Sequence, residues 1–336
     1  MDQHPGGPGV SETPTPEDLV LRSDPNLLDV DVEAPVARLE DFEIQRKLAS
    51  NEGISSHLAL RRGVFGFSKR VMLKVADEPF QKSLAVALRL TDEARLGMRL
   101  SHPNLLQTLD LGRDNDRFFL VREWVDGMGL RSLMHTLWTA GESVPVEIVL
   151  RVGVHIARAL EYLHHLRGFH GSGEGIVHRA VTPSNILLSR AGEVRLATLF
   201  MARPTGSTTQ IDGTHAPSIP AYRAPELASG QMGDPRSDLY SLGAVLYEAI
   251  VGPEAFEGGT HSDWVRFRND EAARQTLRTA DMEPRLRSIL LRAMDPDVER
   301  RFGSASELKD SLRHLQSQLS RSDGDQLLRD LVARSA

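Results

Sequence analysis

A chain of 336 residues has room for one two-lobed domain of about 250–300 residues plus tails, and 40% hydrophobic with 26% charged content is typical of a soluble globular protein. A formal net charge of −6 without a basic stripe argues against a nucleic-acid partner. Cysteine is absent, which excludes disulfides, thiolate metal sites and cysteine nucleophiles. The longest apolar run, Leu239 to Gly252, contains Glu248 and is too short to span a bilayer. The polar N-terminus carries no signal-peptide pattern, so a cytoplasmic protein is expected.

In chain order, residues 1–40 form an acidic leader rich in Pro and Gly, which cannot bury enough surface to offset chain entropy. It is expected to be disordered; a docking arm for a partner is the alternative. Order is expected from Phe42, where Phe42-Glu43-Ile44-Gln45 alternates like a strand. Arg70 to Val75 reads as a further strand carrying Lys74. Glu93 lies nine residues before His102-Pro103-Asn104, and Phe118 to Val125 suggests a strand running into a connection. Val149 to His165 has helical periodicity. Then come Ile176-Val177-His178-Arg179-Ala180 with Asn185 beyond, Arg223-Ala224-Pro225-Glu226, Ser237-Asp238-Leu239-Tyr240-Ser241-Leu242-Gly243, and Arg301-Phe302 ahead of a helix.

From about residue 42 to 318 this succession resembles the protein kinase superfamily, and the bacterial serine/threonine kinases within it. The resemblance implies an α+β fold of two lobes. A β-rich N-lobe and hinge would occupy residues 41–125, a helical C-lobe 126–318, and a tail with a short amphipathic helix 319–336. Lys74 matches the lysine of the V-A-I-K pattern and Glu93 its helical partner. Glu123 and Val125 fall in the hinge, and His178 to Asn185 follows H-R-D-x-x-x-x-N.

The departures from the family pattern concern the chemistry. Phosphoryl transfer needs cradled phosphates, a divalent metal and an aligned hydroxyl. Ala180 replaces the aspartate that accepts the substrate proton, and a methyl group cannot do so. A gapless match over Val194 to Arg203 puts Thr198, Leu199 and Phe200 at D-F-G, and a neutral hydroxyl is a weak magnesium ligand. Asn185 at the second metal position then reads as a structural hydrogen-bonding residue. Ala49, Asn51 and Ile54 replace the three loop glycines, whose backbone would approach phosphates closely; side chains there should hold the loop away. Met72 stands where a small residue roofs the adenine, and Arg122 at the gatekeeper position. A buried guanidinium needs a carboxylate, and Glu93 is the nearest by family geometry, where Arg122 would join or displace Lys74.

Lys74, Glu93, Glu123, Val125 and Asn185 are therefore remnants of a nucleotide site that Ile54, Met72 and Arg122 block. His178, Arg179, Leu199, Glu226, Asp238 and Arg301 are read as structural, with Glu226 and Arg301 as a buried pair. No catalytic set is intact and no metal or other cofactor is expected; ATP and magnesium enter only under an enzyme reading. His164, His165 and the 166–175 loop lack the cysteines or clustered carboxylates of a metal site. Ser207, Thr208 and Thr209 are either phosphorylation sites that would pair with Arg179 or an ordinary polar loop. Leu327, Leu328, Leu331 and Val332 form an apolar face that packs on the C-lobe or serves a partner. The resemblance thus leans away from an enzyme, toward a pseudokinase acting as scaffold or allosteric partner of another protein, an active kinase foremost. The alternatives are a residual or atypical ATP-dependent serine/threonine kinase and a small-molecule sensor using the remodelled cleft.

Overall fold

Strand pairing begins at Phe42. In the computed structural model the chain divides into units Met1–Val36 and Ala37–Ala336. The residues it describes are 38–51, 53–79, 82–114, 116–166, 175–197, 203–204, 222–252, 277–278, 280–319 and 324–335. The leader, Thr198, Leu199, Phe200, most of the 166–175 loop, and Ser207, Thr208 and Thr209 lie outside them.

Five antiparallel strands make the first lobe: β1 (Phe42–Asn51), β2 (Ile54–Arg62), β3 (Ser68–Ala76), β4 (Thr108–Asp114) and β5 (Arg117–Glu123), in the order β1-β2-β3-β5-β4. Period-two alternation sends Val71, Leu73 and Val75 of β3 to one face, where they pack with Phe42, Ala59, Phe119 and Val121. Met72 and Lys74 take the other face. Helix α1 (Leu84–Met98) covers that face with Val86, Leu90 and Ala94, four residues apart, against Ala76 and Leu120.

The second lobe is helical: α2 (Leu130–Thr139), α3 (Val146–His164), α4 (Pro225–Ala228), α5 (Pro235–Val251), α6 (Pro284–Ala293), α7 (Ala305–Leu319) and α8 (Gly324–Ser335). Short strands supplement it: β6 (Gly127–Gly129), β8 (Ile186–Ser189) and β9 (Val194–Leu196) form one sheet, and β7 (Ile176–Val177) pairs with β10 (Arg203–Pro204). The α+β architecture implied by the motif order is the one found.

Helix α5 organises this lobe. It starts firmly, with the Asp234 side chain accepting from Arg236 N and Pro235 in the first turn, where its missing N–H is no loss. Every residue from Ser237 to Ala249 is buried, as in a helix surrounded by others. Helix α3 approaches closely because Gly153 has no side chain; a Cβ there would lie 2.9 Å from Leu246 Cδ1 and 3.0 Å from Leu312 Cδ1. The tail helix α8 packs on the lobe, burying Leu328, Leu331 and Val332 in the same core. Arg151 bonds Asp325, and Arg334 bonds Glu142 at 2.7 Å.

Glu226 and Arg301 join α4 to the segment before α7 through two hydrogen bonds of 2.8 Å each. Arg301 is fully buried, and Ser237 Oγ donates to the same carboxylate at 2.6 Å. Burial alone would raise the Glu226 pKa, but the hydrogen bonds and charge of Arg301 hold it below the usual value. Breaking such a pair from one side leaves a buried charge uncompensated. Arg301→Ala should lower the unfolding free energy by roughly 3–5 kcal/mol in urea titration; a loss under about 1 kcal/mol would show that the pair holds little.

Candidate functional site

The loop after β7 is built around Asp238, which lies in the first turn of α5 and is fully buried. Its Oδ1 accepts from Arg179 N at 2.7 Å and its Oδ2 from His178 N at 2.8 Å. His164 Nε2, from the last turn of α3, lies 2.9 Å from the same Oδ2. Two consecutive amides can converge on one carboxylate only if the chain turns sharply, and Arg179 adopts a left-handed φ of 61°. Burial alone would raise the Asp238 pKa; the hydrogen bond from His164, with His178 nearby, holds it below the ordinary range. Burial lowers the pKa of His178 against the pull of Asp238, so its ring is neutral, and Nδ1 accepts from Ala180 N at 3.3 Å.

Arg179 extends to Met232 O at 2.9 Å. Ala180 is 1% exposed, and its carbonyl accepts from Asn185 Nδ2 at 2.8 Å. Asn185 also takes part through its backbone, donating to Thr182 O at 3.0 Å and accepting from Ala197 N at 2.7 Å. This loop retains a complete backbone scaffold with a methyl group at its centre.

Strand register determines the cleft between the lobes. In the β3–β5 pairing Met72 lies opposite Arg122 and Lys74 opposite Leu120. Opposed residues share a face, so Lys74 and Arg122 are diagonal neighbours on the side that α1 covers. Both reach Glu93. Lys74 Nζ donates to its two oxygens at 3.0 and 2.9 Å. Arg122 Nη1 lies 3.1 Å from Oε1, with its side chain fully buried. This is a charge contact, not an aligned hydrogen bond; no guanidinium nitrogen of Arg122 donates one among the described residues. Burial and the nearby Arg122 charge lower the Lys74 pKa despite the attraction of Glu93.

Ile54 acts differently from a simple spacer. It packs with Val86, Leu90, Ala94 and Leu120, drawing the β1–β2 turn onto α1. Gly53 serves that turn with φ 75°; its carbonyl accepts from Asp77 N at 2.8 Å, and a Cβ would meet Val86 Cγ2 at 3.3 Å. In the hinge, Glu123 Oε1 accepts from Gln107 N at 2.8 Å and faces Arg195 at 3.6 Å. Val125 follows, half-buried. Thr198 and Leu199 lie outside the described residues, so nothing more attaches to those assignments.

Two groups escaped the sequence reading. His164, set aside there as a poor metal ligand, instead supports Asp238. The other is a network in which Tyr222 OH donates to Glu248 Oε2 at 2.6 Å and Arg131 Nη1 to Glu248 Oε1 at 2.7 Å, with Arg131 also bonded to the Tyr222 hydroxyl. Burial, then the Glu248 charge, raises the Tyr222 pKa. The available signal was Glu248 itself, a lone acid in the apolar run 239–252, which burial obliges to find partners. His165 Nδ1 lies 2.8 Å from Glu161 O. Among the described residues no group of three or more His, Asp or Glu side chains could hold a metal ion, and no helix is long and apolar enough to cross a membrane.

A five-stranded lobe, a lysine–glutamate pair beneath it and a loop hung on an α5 aspartate define a protein-kinase-like domain. A family model for the protein kinase domain matches residues 67–315, and the chain belongs to that family. Its relatives include a probable serine/threonine-protein kinase of Clostridium perfringens, 29% identical over 71% of this chain and 33% of its own. The serine/threonine-protein kinase PknB of Mycolicibacterium smegmatis is 30% identical over 72% and 38%. The tyrosine-protein kinase MasK of Myxococcus xanthus is 28% identical over 81% and 42%. The chain spans about a third to two fifths of the length of these relatives.

Two measurements probe this geometry. Glu93→Ala leaves two buried cations without their carboxylate and should lower stability by roughly 3–5 kcal/mol, whereas Arg122→Met, which leaves Lys74 to Glu93, should be neutral or stabilising by about 1–4 kcal/mol. Equal losses from both substitutions would contradict the shared-carboxylate reading. The second is a pH profile. The Asp238 pKa is lowered, so its contribution is present above the unfolded value of about 3.9 and is lost as pH falls through the folded one. Urea unfolding of wild type and Asp238→Asn should therefore differ most near neutrality and converge in acid; a constant difference down to about pH 2 would exclude this linkage.

Proposed function

We propose that this chain is a catalytically inactive member of its family, a pseudokinase that acts in the cytoplasm as scaffold or allosteric partner of another protein, foremost an active kinase. One observation carries the reading: Arg122 and Lys74 share the single carboxylate of Glu93, with Met72 opposite Arg122 in the strand pairing. Arg122, at the gatekeeper position of the family pattern, is fully buried, which supports a cleft with less room for a base. Ala180 offers no proton acceptor at the centre of an otherwise intact loop. Asn185 uses its amide N–H to hold that loop, leaving one neutral oxygen, a weak metal ligand by itself. The function requires no cofactor.

The residual-kinase alternative has its own support in the Lys74–Glu93 pair, at 2.9 and 3.0 Å, and in relatives named as serine/threonine and tyrosine kinases. ATP and magnesium separate the two. A ligand at 100 times its dissociation constant stabilises the native state by about 2.7 kcal/mol. Melting of the purified chain should be unchanged by ATP with magnesium, and no labelled phosphate should reach the chain or an added peptide. Phosphate transfer that Lys74→Met abolishes would overturn the proposal. The regulatory half predicts that the chain changes the turnover of a kinase co-purified with it, and that this change survives Lys74→Met.

A further inference from the structure

The hairpin joining β2 to β3 exposes two phenylalanines. Phe65 is 97% exposed and Phe67 76%. Phe65 adopts φ 56° and ψ 27°, a left-handed conformation usually left to Gly, Asn or Asp, and Gly66 follows at φ 79°. Gly63 N donates to Phe67 O at 2.7 Å, closing a tight loop that turns Phe65 outward. A backbone so defined displays the ring persistently.

The charged side chains that the hairpin itself carries beneath this apex have one sign. Between residues 53 and 76 there is no Asp or Glu, while Arg61, Arg62, Lys69 and Arg70 flank the tip. Arg61 pairs with Asp110 at 3.3 Å and Arg62 with Glu43 at 2.8 Å. Lys69 and Arg70 are exposed, with no acidic partner among the described residues. As consecutive strand residues they project to opposite faces of the hairpin, so the free cations lie on both sides of the apex.

We propose that this tip docks end-on onto an anionic lipid bilayer, Phe65 and Phe67 entering the headgroup boundary while Lys69 and Arg70 meet lipid phosphates. Cations on both faces suit an approach along the hairpin axis better than a contact on either face. Two phenylalanines cover about 150–250 Å² each, below the roughly 800 Å² that each partner buries in a standard protein interface. A bilayer needs no such area, because a few apolar anchors with adjacent cations suffice for reversible binding. Phenylalanine brings no polar atom that would need a partner there. The inference is independent of the activity of the cleft.

Sedimentation of the full chain with vesicles tests it. Binding is expected to vesicles of phosphatidylglycerol mixed with phosphatidylcholine, not to phosphatidylcholine alone, and should weaken with salt. Phe65→Ser with Phe67→Ser should lower partitioning on the order of a hundredfold, and Lys69→Glu with Arg70→Glu at least about tenfold. All four side chains are exposed, so circular dichroism and melting should stay those of wild type. In Phe65→Trp the emission should shift to the blue on the anionic vesicles. No wild-type binding to those vesicles, or binding that the phenylalanine pair does not affect, overturns the proposal. A dimer in sedimentation velocity that the same pair abolishes would assign the tip to a second copy of the chain instead.

Discussion

The Asp238 carboxylate is the point on which the central loop hangs. It sits in the first turn of α5, where the helix dipole favours a negative charge, and among the described residues no lysine or arginine side chain hydrogen-bonds to it. Backbone amides and one imidazole stabilise it instead. The arrangement requires α5 to be buried on every side, α3 to end where His164 can reach, and Arg179 to accept a left-handed backbone. None of these requirements involves the group at position 180. The loop therefore holds its shape whether that position carries a carboxylate or a methyl.

The cleft presents the opposite electrostatic problem. Lys74 and Arg122 both lean on Glu93, and neither is well solvated. Two cations sharing one buried carboxylate repel each other in a medium that screens poorly; burial first, and the Arg122 charge with it, lower the Lys74 pKa. Such an arrangement contributes little to stability and much to position. It fastens α1 to β3 and β5 at once, through a single side chain.

What was legible in the sequence follows from which interactions are local. The meeting of Arg122 with Glu93 was readable from the resemblance, because family geometry puts the helical glutamate nearest the gatekeeper position. The Glu226–Arg301 pair was readable for another reason: a motif glutamate and an arginine ahead of a helix matched the family. His164 was not, because its partner lies 74 residues further along the chain and only the packing of α3 on α5 brings them together. The exposure of Phe65 and Phe67 was not read either, since apolar residues give no local sign that a turn will leave them in solvent. Ile54 was assigned to a glycine position of the family pattern, and its packing on the α1 cluster depends on helix docking that no local pattern encodes.

The residues that depart from the family pattern and those that keep it fall into physically separate sets. Ala49, Met72 and Arg122 lie on strands of the first lobe, and Ala180 makes its hydrogen bonds through its backbone. Asp238, His164, Glu226 and Arg301 form hydrogen bonds that do not pass through the cleft. Changes in the first set therefore leave the second undisturbed. A carboxylate already held from two strands also gives α1 no nearby arrangement that keeps both cations paired. Under the regulatory reading that rigidity is useful: a helix held in one position offers a partner a constant surface, which a scaffold needs and a cleft that must open to nucleotide would lack.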